Sequence, residues 1–216
     1  AYGGPNPPPP AIGVDFFEGP YQDADQMDNP SSWDPITGTL NCDGNILNGN
    51  INGLNFGDGI VDNERWGMRR FIYFNNSSNN DMNDPSIAPD YYNYLLGIWK
   101  NGANMLYGGN GFNDNVTTTE TDFMFPGDTD PCGWGQGGIV MPPWSEKEES
   151  NDAGDRRLVQ SAGPFTLEPG AINDITTGIV WARSTGGDEY ESVQEVRIAD
   201  DKAQLLFENC FKVVNG

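Results

Sequence analysis

Apolar residues recur along this chain at two spacings, one extended and one helical. Arg69 to Phe74, RRFIYF, is dense in aromatic and β-branched side chains and predicts a strand. Ile12 to Phe17, Arg157 to Ala162 and Pro164 to Leu167 read as further strands. In Ile172 to Arg183, Ile175, Thr177, Ile179 and Trp181 share one face, while Val180 and Ala182 take the other. Apolar residues on both faces predict an interior strand. Met105 to Tyr107 and the run TDFMF ending at Phe125 are shorter strand candidates. Helical spacing occurs twice. From Pro89 to Trp99, the stripe Tyr91, Tyr92, Leu95, Leu96 and Trp99 follows a proline suited to a first turn. From Ser192 onward, Val193, Val196, Ala199, Ala203, Leu206, Phe207 and Cys210 recur at steps of three and four. Ser192 with Glu195 reads as the capping box of that helix.

The intervening stretches are polar. Residues 1–10, AYGGPNPPPP, are a Pro-rich linker, because consecutive prolines favour an extended chain without a core. Residues 41–59 are nearly a run of Asn and Gly, which tolerate left-handed backbone angles. Ile46, Leu47, Ile51, Leu54 and Phe56 give that run something to pack with. Asn75 to Asp84 is expected to be a mobile loop, and Glu168-Pro169-Gly170-Ala171 suits a type II turn.

Composition narrows the chemistry. The net charge of −21 leaves no basic stripe for nucleic acid or for an anionic membrane surface. No stretch approaches the apolar length a membrane helix needs. The apolar share of 36% is low, and six Trp compensate, since large rings bury much area each. There is no histidine, which removes Ser-His-Asp and Cys-His nucleophilic sites and His-ligated zinc. What remains is carboxylate chemistry and oxygen-ligated ions such as Ca²⁺ and Mg²⁺. Cys42, Cys132 and Cys210 form no CxxC pair. One disulfide plus a free thiol fits an exported protein, and three buried thiols fit equally well. Cys42 with Cys132 is the favoured pair, with Cys210 packing on a helix face. A Pro-rich start and an Asn-Gly end read as a processed protein or a piece of a longer one.

The stretch Asn55 to Phe74 organises the reading. Asp58, Asp62 and Glu64 crowd three carboxylates into seven residues, which is unfavourable unless they are solvated or share a cation. Upstream, Asp23, Asp25 and Asp28 form D-x-D-x-x-D on a turning loop. Ordinary turns also use Asp and Asn at such places. Asp122, Asp128 and Asp130 cluster around Gly and Pro and read more simply as turn formers.

Gly57 to Glu64, GDGIVDNE, is similar to the core of calcium loops in dockerins and thrombospondin type 3 repeats. That resemblance implies Asp58 as a side-chain ligand, Gly59 as the sharp turn, Ile60 as a carbonyl ligand and Asp62 as a later ligand. The chain departs from the pattern at Phe56 and Leu54, where acids or Asn are usual, and at Arg65, where the final bidentate acid is usual. A partial site completed by Asp23, Asp25 and Asp28, with Glu64 nearby, is the resulting expectation.

Five longer stretches carry a second resemblance: DFFEGPYQDAD, GDGIVDNERWGMRRFIYF, DFMFPGDTDPCGWG, GPFTLEPGAINDITTGIVWARS and ADDKAQLLFENCFKV. Together they resemble an uncharacterised segment of large exported proteins of Bacteroidota, similar to type IX secretion cargo. The resemblance implies an extracellular or outer-surface setting and a multidomain parent chain, and it implies no known reaction. The expected architecture is mostly β (α+β): one β-sandwich-like domain over 11–216, with long calcium-stabilised loops and two helices, one C-terminal. The expected role is a Ca²⁺-stabilised structural or adhesive module whose partners are other domains of the parent chain, surface glycans or other surface proteins. Carbohydrate binding through Trp134 and Trp144, in Gly/Pro loops, is the alternative. A non-catalytic part of a secreted glycan-degrading enzyme follows, and last a carboxylate-based hydrolase with paired acids such as Asp128 and Asp130.

Overall fold

The computed structural model describes residues 8–21, 25–34, 36–43, 50–51, 53–75, 78–112, 117–149, 151 and 154–212. Among the described residues there are six strands: β1 (Ala11–Glu18), β2 (Trp33–Asp34), β3 (Thr39–Leu40), β4 (Arg70–Asn75), β5 (Arg156–Ser161) and β6 (Thr176–Ala182). The helices are α1 (Ala88–Leu95), α2 (Glu146–Glu149) and α3 (Glu189–Glu208). The fold is therefore α+β. Among the described residues the strands form three antiparallel pairs, β1–β6, β2–β3 and β4–β5, each two-stranded. These pairs do not by themselves make the two facing layers of a sandwich. No described helix is long and apolar enough to cross a membrane.

The chain packs as two compact units, residues 1–19 with 170–216 and residues 20–169, where one domain over 11–216 is expected. In the first unit, β1 and β6 pair from opposite ends of the sequence, with Ile12 opposite Trp181 and Val14 opposite Ile179. Helix α3 covers one face of this ribbon. Its Phe207 ring lies 5.5 Å from that of Phe17. The tip of the Phe17 ring lies against Gly178, where an added Cβ would fall 2.0 Å from Cζ. Only glycine fits at that position. The other face stays open, with Ile179 75% and Trp181 60% exposed. The interior strand expected at Ile172–Arg183 is thus a member of a two-stranded ribbon, its outer apolar face uncovered.

Helix α3 begins three residues earlier than expected. Asp188 is its N-cap, accepting from the Tyr190 N–H, and Glu189 and Glu191 place negative charge on the first turn. Ser192 lies inside the helix, fully buried, and its Oγ accepts from the Ser184 N–H. The predicted capping box gives way to Asp188, which caps the helix one turn upstream while Ser192 bonds the Ser184 N–H. Cys210 lies just past the helix end and is exposed, not packed.

The second unit has the main core: Ile72 and Phe74 of β4, Tyr94 of α1, and Trp99, Met105, Tyr107, Met124 and Trp144 from loops. Each large polar-tipped ring holds a loop carbonyl. Trp99 Nε1 donates to Gly111 O at 2.8 Å and Trp144 Nε1 to Gly109 O at 3.2 Å. The hydroxyls of Tyr94 and Tyr107 donate to Asn83 O and Pro142 O, both at 2.6 Å. A loop-rich chain is ordered this way, since each of these four ring donors finds an acceptor and each loop gains a fixed point. Strand β4 pairs with β5, Ile72 opposite Val159, and TDFMF joins it only through a parallel bridge at Phe123. Pro164–Leu167 is not a strand. Gly170 has φ 87°, as the third place of the expected type II turn requires.

Helix α1 forms where the stripe predicts it, with Pro89 in its first turn. Its phase differs. Asp90 and Tyr94 face inward, whereas Tyr91, Tyr92, Leu95 and Leu96 are exposed. The buried ring is selected by the neighbouring Phe74, 4.6 Å away between centroids, not by the densest apolar stripe.

Candidate metal centre and its two acidic loops

The two acidic loops singled out by sequence meet, which is the main agreement between pattern and structure. Their contact is made by carboxylates of one loop accepting N–H groups of the other. Asp62 Oδ1 accepts from the N–H groups of Asp25 at 2.9 Å and Gln26 at 2.8 Å. In return, Asp28 Oδ1 accepts from the Gly57 N–H and its Oδ2 from the Gly59 N–H, each at 2.8 Å. Glu64, only 2% exposed, accepts from the Asn29 N–H at 2.6 Å. The backbone N–H of Asp62 closes the set on Met27 O at 3.2 Å.

Local geometry explains why these residues suit the task. Gly57 and Gly59 have φ of 70° and 89°, and the N–H groups of both turn toward the Asp28 side chain. Asp62 and Gln26 adopt positive φ as well. Asp58 serves its own loop: Oδ1 accepts the Ile60 N–H at 2.8 Å and Oδ2 the Asn63 Nδ2 at 2.9 Å. Asp25 does likewise, accepting from the Met27 N–H and from Asn29 Nδ2. Below the clasp, Leu54 and Arg65 pair as an antiparallel bridge, and the Arg65 guanidinium lies 3.7 Å from the Tyr21 ring centre.

As a calcium centre the set fits in donor type and in assembly. It fits less well in convergence: among the described residues no group of three or more carboxylates is placed to hold a metal ion. Asp25, Asp28, Asp58, Asp62 and Glu64 all lie in the joined loops, and Ile60 contributes its N–H to Asp58. Asp23 lies outside the described residues.

The remaining candidates have structural employment. Asp130 accepts the N–H groups of Trp134 and Gly135, both at 2.9 Å, in the first positions of the 3₁₀ turn Trp134–Gln136. Both its oxygens are engaged, which suits the turn-former reading and not an acid–base pair with Asp128. Asp122 neutralises Arg69 and Arg70 together. Burial, with Arg70 beside it, lowers the Arg69 guanidinium to about 10, and Asp122 opposes that fall. Trp134 and Trp144 are 8% and 1% exposed, so neither offers an open indole face on which a sugar could stack. The expected disulfide joins Cys42 and Cys132.

Lys100 is a role that the sequence did not announce. Its ammonium donates to Asn83 Oδ1 at 2.7 Å and Asp84 O at 2.9 Å, with Asp90 Oδ2 at 3.7 Å. The Asn/Asp-rich loop expected to be mobile thus wraps a resident cation. Residues 76–77 of that loop lie outside the described residues.

No protein-family model, curated protein or solved structure matches this chain.

Proposed function

We propose that this chain is a calcium-stabilised structural or adhesive module of an exported, outer-surface bacterial protein, working beside other domains of a longer parent chain. The observation that carries the reading is the reciprocal joining of residues 25–29 with 57–64 through Asp28, Asp62 and Glu64. It gathers hard oxygen donors from two distant segments, and extracellular calcium in the millimolar range loads such sites readily. The Cys42–Cys132 disulfide supports an oxidising compartment. The open Ile12, Val14, Ile179 and Trp181 face supports work within a larger assembly, because apolar patches of this kind mark contact surfaces.

The test is thermal unfolding after exhaustive chelation and again in millimolar CaCl₂, with metal content measured on the purified chain. The proposal expects a rise of several degrees and calcium near one equivalent or more. Identical melting curves, with no bound metal, would remove calcium from it. A second reading then stands on its own observation. Asp28, Asp62 and Glu64 already accept backbone N–H groups, and such bonds offset carboxylate crowding without an ion. Carbohydrate binding through Trp134 and Trp144 has less support, since both indoles are buried.

A further inference from the structure

A second feature of residues 20–169 lies far from the acidic clasp in sequence: a hollow of about 350 Å³ between the end of β4, α2 and the start of β5. One wall is apolar and aromatic, made by Tyr73, Phe125 and Met82. Phe125 meets Tyr73 edge-on at 5.6 Å, which holds both rings in place. The other wall carries carboxamides from three separate segments, Asn75, Asn110 and Asn151. Glu146 and Arg156 complete it, 3.5 Å apart, with the Arg156 guanidinium 5.4 Å from the Tyr73 ring centre. Burial, reinforced by the Glu146 carboxylate, pushes the Tyr73 hydroxyl up to about 12, so it stays a neutral donor.

We propose that this hollow binds a neutral sugar unit. The size is that of a small ligand site at the lower end of the usual range. Carboxamides present a donor and an acceptor side by side, which matches vicinal hydroxyls. A ring wall matches the C–H face of a pyranose. Glu146 and Arg156 cancel each other's charge while offering acceptors and donors, so the site favours an uncharged polyhydroxy ligand over an anion or a cation. This goes beyond the calcium reading and does not depend on it. It moves sugar recognition away from Trp134 and Trp144 to residues that no motif marked.

The test uses the full chain and a panel of methyl pyranosides (gluco, galacto, manno and their N-acetylamino forms), titrated by heteronuclear NMR in chelator and in CaCl₂. At least one is expected to bind saturably with a dissociation constant on the order of 1 mM, as a ligand of that size allows. Asn151→Ala and Glu146→Gln, each first shown to melt like the parent, are expected to weaken it about fivefold. Asn101→Ala, on another surface, is expected to bind as the parent does. No saturable binding up to roughly 50 mM overturns the proposal. So does equal binding by both hollow variants, or a free amino acid binding in place of every sugar. Because the readout is shift perturbation at the hollow, its failure is distinct from a missing Tm response to calcium.

Discussion

Asp28→Asn separates the two accounts of the acidic loops. In the parent, each Asp28 oxygen accepts one N–H, from Gly57 and from Gly59, both at 2.8 Å. The carboxamide keeps one acceptor and turns an NH₂ group toward the other N–H. One charge-assisted bond is lost and two donors are brought face to face. Such a bond is worth about 1.5–3 kcal/mol in partial burial. Gly57 and Gly59 are exposed, so water recovers part of the loss, and about 1–2 kcal/mol is expected. For a unit the size of residues 20–169 that corresponds to a fall of about 3–6 °C in Tm. Scanning calorimetry in chelator is the assay, with Asp58→Asn as the comparison, because among the described residues Asp58 bonds within its own loop. If Asp28→Asn melts within about 1 °C of the parent in chelator, the amide clasp contributes nothing and its reasoning is wrong. If the loss appears only in CaCl₂, the carboxylate acts through the ion.

Three further outcomes are expected. Replacing Cys42 and Cys132 together by Ser frees a loop spanning 90 residues, and chain entropy puts the cost at about 4–5 kcal/mol; an unchanged urea midpoint would contradict it. Lys100→Met strips a donor from Asn83 Oδ1 and from Asp84 O and leaves Asp90 without its cation, so a loss of about 2–3 kcal/mol is expected in urea titration, against none if the loop needs no internal cation. Asp200 on α3 is raised to about 6 by burial, with the carboxylates of Asp15 and Asp201 adding to it. A raised acid binds its proton more readily folded than unfolded, so stability of the α3 unit should grow as pH falls from about 6 to about 4. The shift is worth at most about 3 kcal/mol, and screening at this half-exposed site reduces that to about 1. Asp200→Asn should stabilise α3 at pH 7 and flatten the pH profile of its helix ellipticity; a profile unchanged from the parent would refute the assignment.

What the sequence showed was local. Strand β4 and helix α3 were legible because a single segment carries the whole signal, whether RRFIYF or the three-and-four spacing that ends near Phe207. The pairing of β1 with β6 was not legible, since it joins residues about 165 apart and no spacing rule encodes a partner. The phase of α1 failed for a related reason. Two apolar stripes compete on one short helix, and the one buried was chosen by Phe74, which lies elsewhere in the chain. The acidic residues stand out in the sequence, but the N–H groups they accept do not, because backbone donors leave no letter in it. Lys100 was hidden likewise, since a lone Lys distant from Asn83 and Asp84 forms no pattern.

The likeness of GDGIVDNE to a calcium loop and its use as an amide clasp have a common physical root. A loop that turns several carboxylates inward must also turn N–H groups toward them, and Asp-Gly spacing with positive φ at Gly57 and Gly59 does both. In metal sites, such N–H bonds form the outer layer that orients the ligating oxygens. The clasp is therefore compatible with an ion wherever a carboxylate keeps a whole oxygen outside the cross-loop N–H bonds. Asp62 uses a single oxygen, Oδ1, for both Asp25 and Gln26, which leaves Oδ2 outside the two cross-loop bonds. Asp28 spends one oxygen on each glycine. Calcium added to the chelated protein should therefore act first through Asp62, and Asp62→Asn should abolish a calcium-dependent rise in Tm more completely than Asp28→Asn does. Equal loss in the two variants would mean that the ion does not distinguish the oxygens.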